Sequence, residues 1–466
     1  MTSNDPMKSG LGEHTLSIWE RSHSLDLVSQ AAADDLIKDS KELWFTPSTP
    51  IDNVSEIRLQ IPAMEKHFIA LKDTRLVVKA RILTKNQAGA WVAAEAGLDY
   101  SVCNMLSTAI WSKVNIKFNN VEVESCIDKS YPYRSYLESC LSFNDVQKST
   151  YMKSAWGFIP DLPESCNASA KSSTASTKPN GYDSRMSMVK EGKSFTFHTP
   201  IFVDLFNQSR YLIPGVNIDI SLTKSPEDFF VLSADTNAGK FKLDLQSVEV
   251  MVRTVETAEK VNLTYDQLLL KGKPLLYPRT HSALNFISIQ KQQVCDVNNI
   301  YNGILPSTLL IGFVEDANLT GTISKNPFVF SSVNLKSISL KFNGAVILDK
   351  LMEFDDDDYE RAYLKLIEDL ALSSPANSIR LSKQEFKSNF FLLSLDTTGC
   401  RCSSYHYHIE AEKKGRLSAS LVFSQPNDKN LQMMVYTITH KSMKISGLER
   451  RITLEYPDKG LEGTKL

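Results

Sequence analysis

Two short stretches decide how this chain is read. Val114-Asn115-Ile116-Lys117-Phe118-Asn119-Asn120-Val121 and Ile338-Ser339-Leu340-Lys341-Phe342-Asn343-Gly344-Ala345-Val346 have one plan. Each alternates apolar and polar residues, reaches Lys-Phe-Asn, turns and resumes. Period-two alternation describes a strand with one buried face. Asn-Gly is the strongest short signal for a type I′ hairpin, and Asn-Asn is a weaker form of it.

The echo continues outward. Tyr133-Arg134-Ser135-Tyr136-Leu137 follows the first hairpin and matches Glu360-Arg361-Ala362-Tyr363-Leu364 after the second. The offset is 224 at the hairpins and 227 at these helices. Ile218–Leu222, Ser225-Pro226 and Leu243–Val252 then match Leu417–Phe423, Gln425-Pro426 and Met434–Ile445, about 200 residues on. Three echoes in one order imply a tandem duplication with different loop insertions. Arg75–Leu83, Lys113–Phe118, Val216–Leu222, Lys242–Val252 and Ser337–Phe342 all alternate. Many short strands broken by turn residues predict an all-β chain of two tandem jelly-roll β-sandwiches with short helices in the loops.

Helices are expected at Pro132–Leu141, Tyr359–Leu370 and, more weakly, Glu259–Leu270. The predicted organisation is an N-terminal arm over 1–45, a first jelly roll over 46–256, a linker over 257–274 and a second roll over 275–466. The arm holds an isolated apolar cluster at Leu25, Leu27 and Val28. It is either mobile or docked through Leu25 and Val28 on a neighbouring surface. Glu164–Ser194 is low in complexity and reads as a long surface loop.

Composition narrows the function. The 466 residues carry 52 Lys and Arg against 54 Asp and Glu, a formal charge of −2, which excludes a strongly basic nucleic-acid coat. The 42% apolar content supplies a core, and 19 glycines with 18 prolines are too few for a collagen-like or disordered chain. No run of about 18 apolar residues occurs. Met1-Thr2-Ser3-Asn4-Asp5 lacks signal-peptide character, and Thr2 stands where myristoylation needs glycine. Seven scattered cysteines are not a disulfide framework, so reduced thiols are expected. Asn-x-Ser/Thr sites such as Asn53 and Asn318 are then chance matches.

Three constellations are weighed as sites. His406, His408, Glu410 and Glu412 share one strand face, and two imidazoles with a carboxylate suit a transition metal. His-x-His-x3-Glu also resembles the first cupin motif. Gly399 is one residue out of place, however, and no second cupin motif follows Glu412. The apolar face is Tyr405, Tyr407, Ile409 and Ala411, which turns the histidines away from the core. Cys400 and Cys402 lack the spacing and the second pair of a zinc site. Asp355, Asp356, Asp357 and Asp358 lack the alternation and central glycine of a calcium loop, and suit a helix N-terminus instead. No catalytic, cofactor-binding or metal-binding residue is assigned, because no Gly-x-Ser-x-Gly, Walker or Gly-x-Gly-x-x-Gly motif occurs.

Further segments carry a family resemblance. Ser24-Leu25-Asp26-Leu27-Val28-Ser29, Tyr131-Pro132-Tyr133-Arg134-Ser135-Tyr136-Leu137-Glu138, Pro214-Gly215-Val216-Asn217-Ile218, Ile311-Gly312-Phe313-Val314 and Lys325-Asn326-Pro327-Phe328-Val329-Phe330 stand in order along most of the chain. Together they resemble the double jelly-roll major capsid proteins of Polinton (Maverick) elements and of related adintoviruses and virophages. Lys271–Arg279 matches only loosely, and Glu164–Ser194 has no counterpart. The resemblance implies no enzyme but a virion structural protein. It implies a homotrimeric, pseudo-hexagonal capsomer in an icosahedral shell around dsDNA, with neighbouring capsomers and a penton protein as partners. It implies assembly inside the host cell, no specific nucleic-acid sequence and no membrane insertion. The competing expectations are a cupin-like metal-binding enzyme, recognised by stoichiometric metal lost in His406→Ala, and a carbohydrate-binding sandwich protein.

Overall fold

The computed structural model describes residues 36–52, 54–95, 97–161, 181–347, 352–354, 358–372, 379, 381–398 and 413–454. The first half contributes eight principal strands: β1 Ile37–Phe45, β2 Glu56–Ile61, β3 His67–Lys85, β4 Trp111–Phe118, β5 Val121–Glu124, β6 Phe195–Pro200, β7 Ile218–Lys224 and β8 Phe241–Thr257. The second contributes β9 Leu275–Ile289, β10 Val294–Ile304, β11 Thr308–Glu315, β12 Leu335–Phe342, β13 Ala345–Val346, β14 Leu392–Asp396, β15 Lys414–Phe423 and β16 Leu431–Ser446.

Strand order shows the duplication directly. The first half pairs β1-β8-β3-β6 in one sheet and β2-β7-β4-β5 in the other. The second pairs β9-β16-β11-β14 and β10-β15-β12-β13. Each of these eight principal strands has its counterpart eight strands later in the corresponding sheet order. All these pairings are antiparallel. Both halves are jelly rolls.

The two echoed hairpins fold alike. Asn119 and Asn120 have φ of 46° and 65°, and Asn343 and Gly344 have 51° and 82°. Positive φ at both central residues is the type I′ geometry that matches strand twist. The next echo pairs with it. Val114, Ile116 and Phe118 lie opposite Leu222, Ile220 and Ile218, while Ile338, Leu340 and Phe342 lie opposite Leu421, Ala419 and Leu417. Alternation then buries one face. Val114, Ile116 and Phe118 are inaccessible, whereas Lys117 between them is exposed. The buried apolar residues of both rolls form one continuous cluster.

Helices appear at α1 Ser130–Ser142, α2 Gly181–Val189, α3 Glu259–Leu270, α4 Glu360–Asp369 and α5 Lys383–Asn389. Two differences from the sequence reading stand out. Ile37–Phe45, assigned to the arm, is strand β1 and pairs with β8 along its length. It escaped notice because an edge strand can be held by its backbone while its charged side chains stay in water. The weaker helix expected at Glu259–Leu270 forms over those residues, inside the linker. Glu164–Ser194 is not a loop throughout: α2 and the 3-10 turn Lys190–Gly192 occupy its second half, with Tyr182, Arg185 and Val189 buried. The first part of that segment and the Leu25–Val28 cluster lie outside the described residues.

The core alternation has a measurable consequence. Ile116→Ala removes a fully buried side chain and is expected to cost about 2–5 kcal/mol in denaturant unfolding, whereas Lys117→Ala stays within about 0.5 kcal/mol of the parent. Equal effects at both positions would refute this assignment of faces.

Candidate functional site: the seam between the two rolls

Helix α1 starts with Pro132 in its first turn, where a missing N–H is harmless. Its inward residues include Tyr133, Arg134 and Leu137, all buried. They do not face only their own sandwich. The Tyr133 hydroxyl donates to the Pro327 carbonyl at 2.8 Å, and the Tyr133 ring makes edge contacts with Phe286, Phe328 and Phe330. The Tyr136 ring stacks on Phe328 with centroids 4.4 Å apart and planes 3° apart. Offset and edge-to-face aromatic pairs each add about 0.5–1.5 kcal/mol beyond the area they bury. The Tyr-Pro-Tyr-Arg-Ser-Tyr segment of one roll is thus seated on the Asn-Pro-Phe-Val-Phe segment of the other.

Beneath the rings sits a buried charge cluster. Arg134 bonds Glu124 at 3.0 Å, Glu138 at 2.7 Å and Asp204 at 2.6 Å. All four residues come from the first roll, and two of the carboxylates also accept donors from the second. Asp204 accepts the Ser282 N–H at 3.0 Å, and Glu138 accepts the Tyr436 hydroxyl at 3.1 Å. The His281 imidazole lies 3.7 Å from Asp204. Burial alone would depress the Arg134 pKa. Asp204, Glu138 and Glu124 outweigh it and hold the guanidinium well above its ordinary value. A buried charge network of this kind is costly to break from one side.

Two more arginines clasp the seam. Arg185 on α2 reaches the Val102 and Ile159 carbonyls and the Asp161 carboxylate. Asp161 in turn accepts the Asn326 amide of the second roll at 2.9 Å. Burial pushes the Asp161 carboxyl up, with Arg185 opposing. Arg450, in the turn after β16, bonds Asp266 on α3 at 2.7 Å and the Pro214 carbonyl at 3.1 Å, and its own carbonyl accepts the Asn119 amide at 3.1 Å. Close approach completes the junction. Gly321 has φ of 96°, and a Cβ there would stand 3.0 Å from the Phe229 backbone of the first roll.

His406, His408, Glu410, Glu412, Cys400, Cys402 and Asp355–Asp357 lie outside the described residues. Asp358 is exposed, and its carboxylate accepts the Glu360 N–H at the start of α4. Arg134 was visible only as part of a motif. Its partner Glu138 stands at the local i,i+4 spacing, but Glu124, Asp204 and the second-roll donors Ser282 and Tyr436 come from four other places in the chain, and no local pattern joins them. Sequence offered one hint, an arginine beside Tyr133 on an otherwise apolar stripe.

The molecule therefore consists of two sandwiches of matching strand order, joined by aromatic packing and by hydrogen-bond networks centred on three arginines. It has the double jelly-roll fold. Solved structures share it at low identity. A chain of the Sputnik virophage particle solved by cryo-EM is similar with a TM-score of 0.63 and 11% identity, covering 93% of this chain and 92% of that one. The mavirus major capsid protein gives 0.55 at 11% identity, covering 92% of each chain. The faustovirus major capsid protein gives 0.52 at 9%, covering 92% and 94%. Among curated proteins, "Uncharacterized protein F54H12.2" of Caenorhabditis elegans is 20% identical over 314 residues, 66% of this chain and 70% of that protein. No protein-family model matches the chain.

Removing one member of the central cluster tests the seam. Arg134→Met strands three carboxylates and is expected to cost about 3–5 kcal/mol at neutral pH. The stranded carboxyls would have folded pKa values above their unfolded ones, so the loss shrinks as pH falls from the raised values toward the ordinary carboxylate range. Unfolding free energies at several pH values check both the size and the sign.

Proposed function

We propose that this chain is a major capsid subunit, a structural protein and not an enzyme. Three copies would form a capsomer of six sandwiches with a pseudo-hexagonal outline, and capsomers would tile an icosahedral shell around dsDNA. The observation that carries this reading is that the two rolls repeat one strand order and are joined through buried aromatic and hydrogen-bonded contacts. A shell tile must keep its shape under contact with many neighbours. Two near-equivalent sandwiches held at fixed geometry let three chains present six similar edges, and a closed threefold ring buries its heterologous interfaces. The folds of the virophage, mavirus and faustovirus chains support this reading, as do the motifs that resemble Polinton-type capsid proteins.

Surface features agree with it. The formal charge of −2 leaves electrostatic contact with a genome weak. The segment around 162–180 lies between β5 and β6, and the acidic run 355–358 lies between β13 and β14. These are corresponding connections, so both insertions would decorate the same outer face of the capsomer. A penton protein would close the vertices. The virion shell, assembled inside a host cell, is the proposed location.

Size measurement by light scattering and native mass spectrometry under mild conditions tests the reading. A stable species of three times 52.3 kDa is expected. Obligate interfaces commonly bury about 2,000 Å² or more, so the trimer should persist on dilution. A monomer at every concentration and salt would defeat the proposal.

A further inference from the structure

The end of the molecule that carries the linker helix has an apolar ridge. Leu263 and Leu270 are seven residues apart on α3, on one stripe, and are 53% and 67% exposed. Leu276 at the start of β9 and Leu448 in the turn after β16 are 48% and 53% exposed. One hub gathers them. The Arg450 guanidinium bonds Asp266, which lies between the two α3 leucines, and also the Leu448 carbonyl. Arg210 donates to the Leu276 carbonyl, and the neighbouring Tyr277 hydroxyl accepts the Ile213 N–H, one residue from the carbonyl that Arg450 holds. Single exposed leucines need no explanation, but four on elements tied to one another by Arg450 and Arg210 offer an apolar docking surface.

We propose that the occupant is the chain's own N-terminal segment, with Leu25, Leu27 and Val28 lying on Leu263, Leu270, Leu276 and Leu448. The Leu36 carbonyl accepts the Ala258 N–H at 2.8 Å, so the first 35 residues join the fold beside the first turn of α3. Val28 is eight residues upstream of Leu36, a reach of about 26–29 Å when extended. The twelve residues of α3 span about 18 Å. The three aliphatic side chains therefore reach the ridge without leaving their own subunit. Charge favours the same pairing. Residues 1–35 hold six acids and two bases, whereas Lys271 and Lys273 follow the far end of α3. Asp26, between Leu25 and Leu27, would meet that basic end. The proposal does not depend on capsid assembly, because it concerns one chain covering its own surface.

A photo-crosslinking amino acid placed at position 27 of the full-length protein tests it. Intrachain crosslinks to 259–276 or 447–450 are expected, and Leu263→Ser with Leu270→Ser should abolish them. Crosslinks between chains, or to any other surface, overturn the proposal. Hydrogen exchange gives a second readout. Leu25→Ser with Leu27→Ser is expected to speed exchange of the α3 amides about tenfold, and unchanged exchange would also overturn it.

Discussion

A buried guanidinium surrounded by three carboxylates sets the terms for the whole molecule. Arg134 bonds Glu124, Glu138 and Asp204 inside the first roll, and Ser282 and Tyr436 of the second roll add donors to two of these carboxylates. A docking of the rolls that covered these carboxylates without bringing Ser282 and Tyr436 to them would lose both hydrogen bonds in a buried place, and such losses are costly. The polar cluster therefore specifies one relative placement of the two sandwiches. The rings of Tyr133, Tyr136, Phe328 and Phe330 add area and shape to that placement. Charge pairing and ring packing thus favour the same relative placement.

The duplication has not kept the two halves equivalent in use. Arg134 and Arg361 occupy matching places in the echoed helices, but Arg134 is buried at the seam and Arg361 is exposed. Helix α4 instead packs on its own roll through Leu366 and through Asp369, which accepts the Ser394 hydroxyl at 2.9 Å. Its outer side meets α5, where Tyr363 and Phe386 rings touch. One helix of the ancestral pair became the joint, and the other remained a cover. Similar sequence has met different surroundings, and the surroundings decide burial.

The hairpins, the matching strand order and the three helices at 132–141, 259–270 and 359–370 were legible because each depends on short-range periodicity or turn chemistry. Strand β1 was not, since Ile37–Phe45 has few alternating apolar residues and is held by backbone bonds to β8. Helix α2 was hidden for a related reason. Its burial rests on Arg185, a residue that reads as solvent-exposed until Asp161 and two carbonyls are brought to it. The seam was least legible of all. Residues 124, 134, 138, 204, 282 and 436 converge only through the topology, and the resemblance motifs marked two of the touching segments without showing that they touch.

Sequence by itself determined the class of the fold and its doubling, because alternation, type I′ turns and repeated order are encoded within windows of ten or twenty residues. Only the tertiary structure decided which charges are buried, which copy of the helix forms the joint and how three arginines clasp one sandwich to the other. Those outcomes depend on contacts between residues as far apart as 331 positions, as between Asn119 and Arg450. No local propensity carries that information. It arises when two complete sandwiches exclude water from the surface between them.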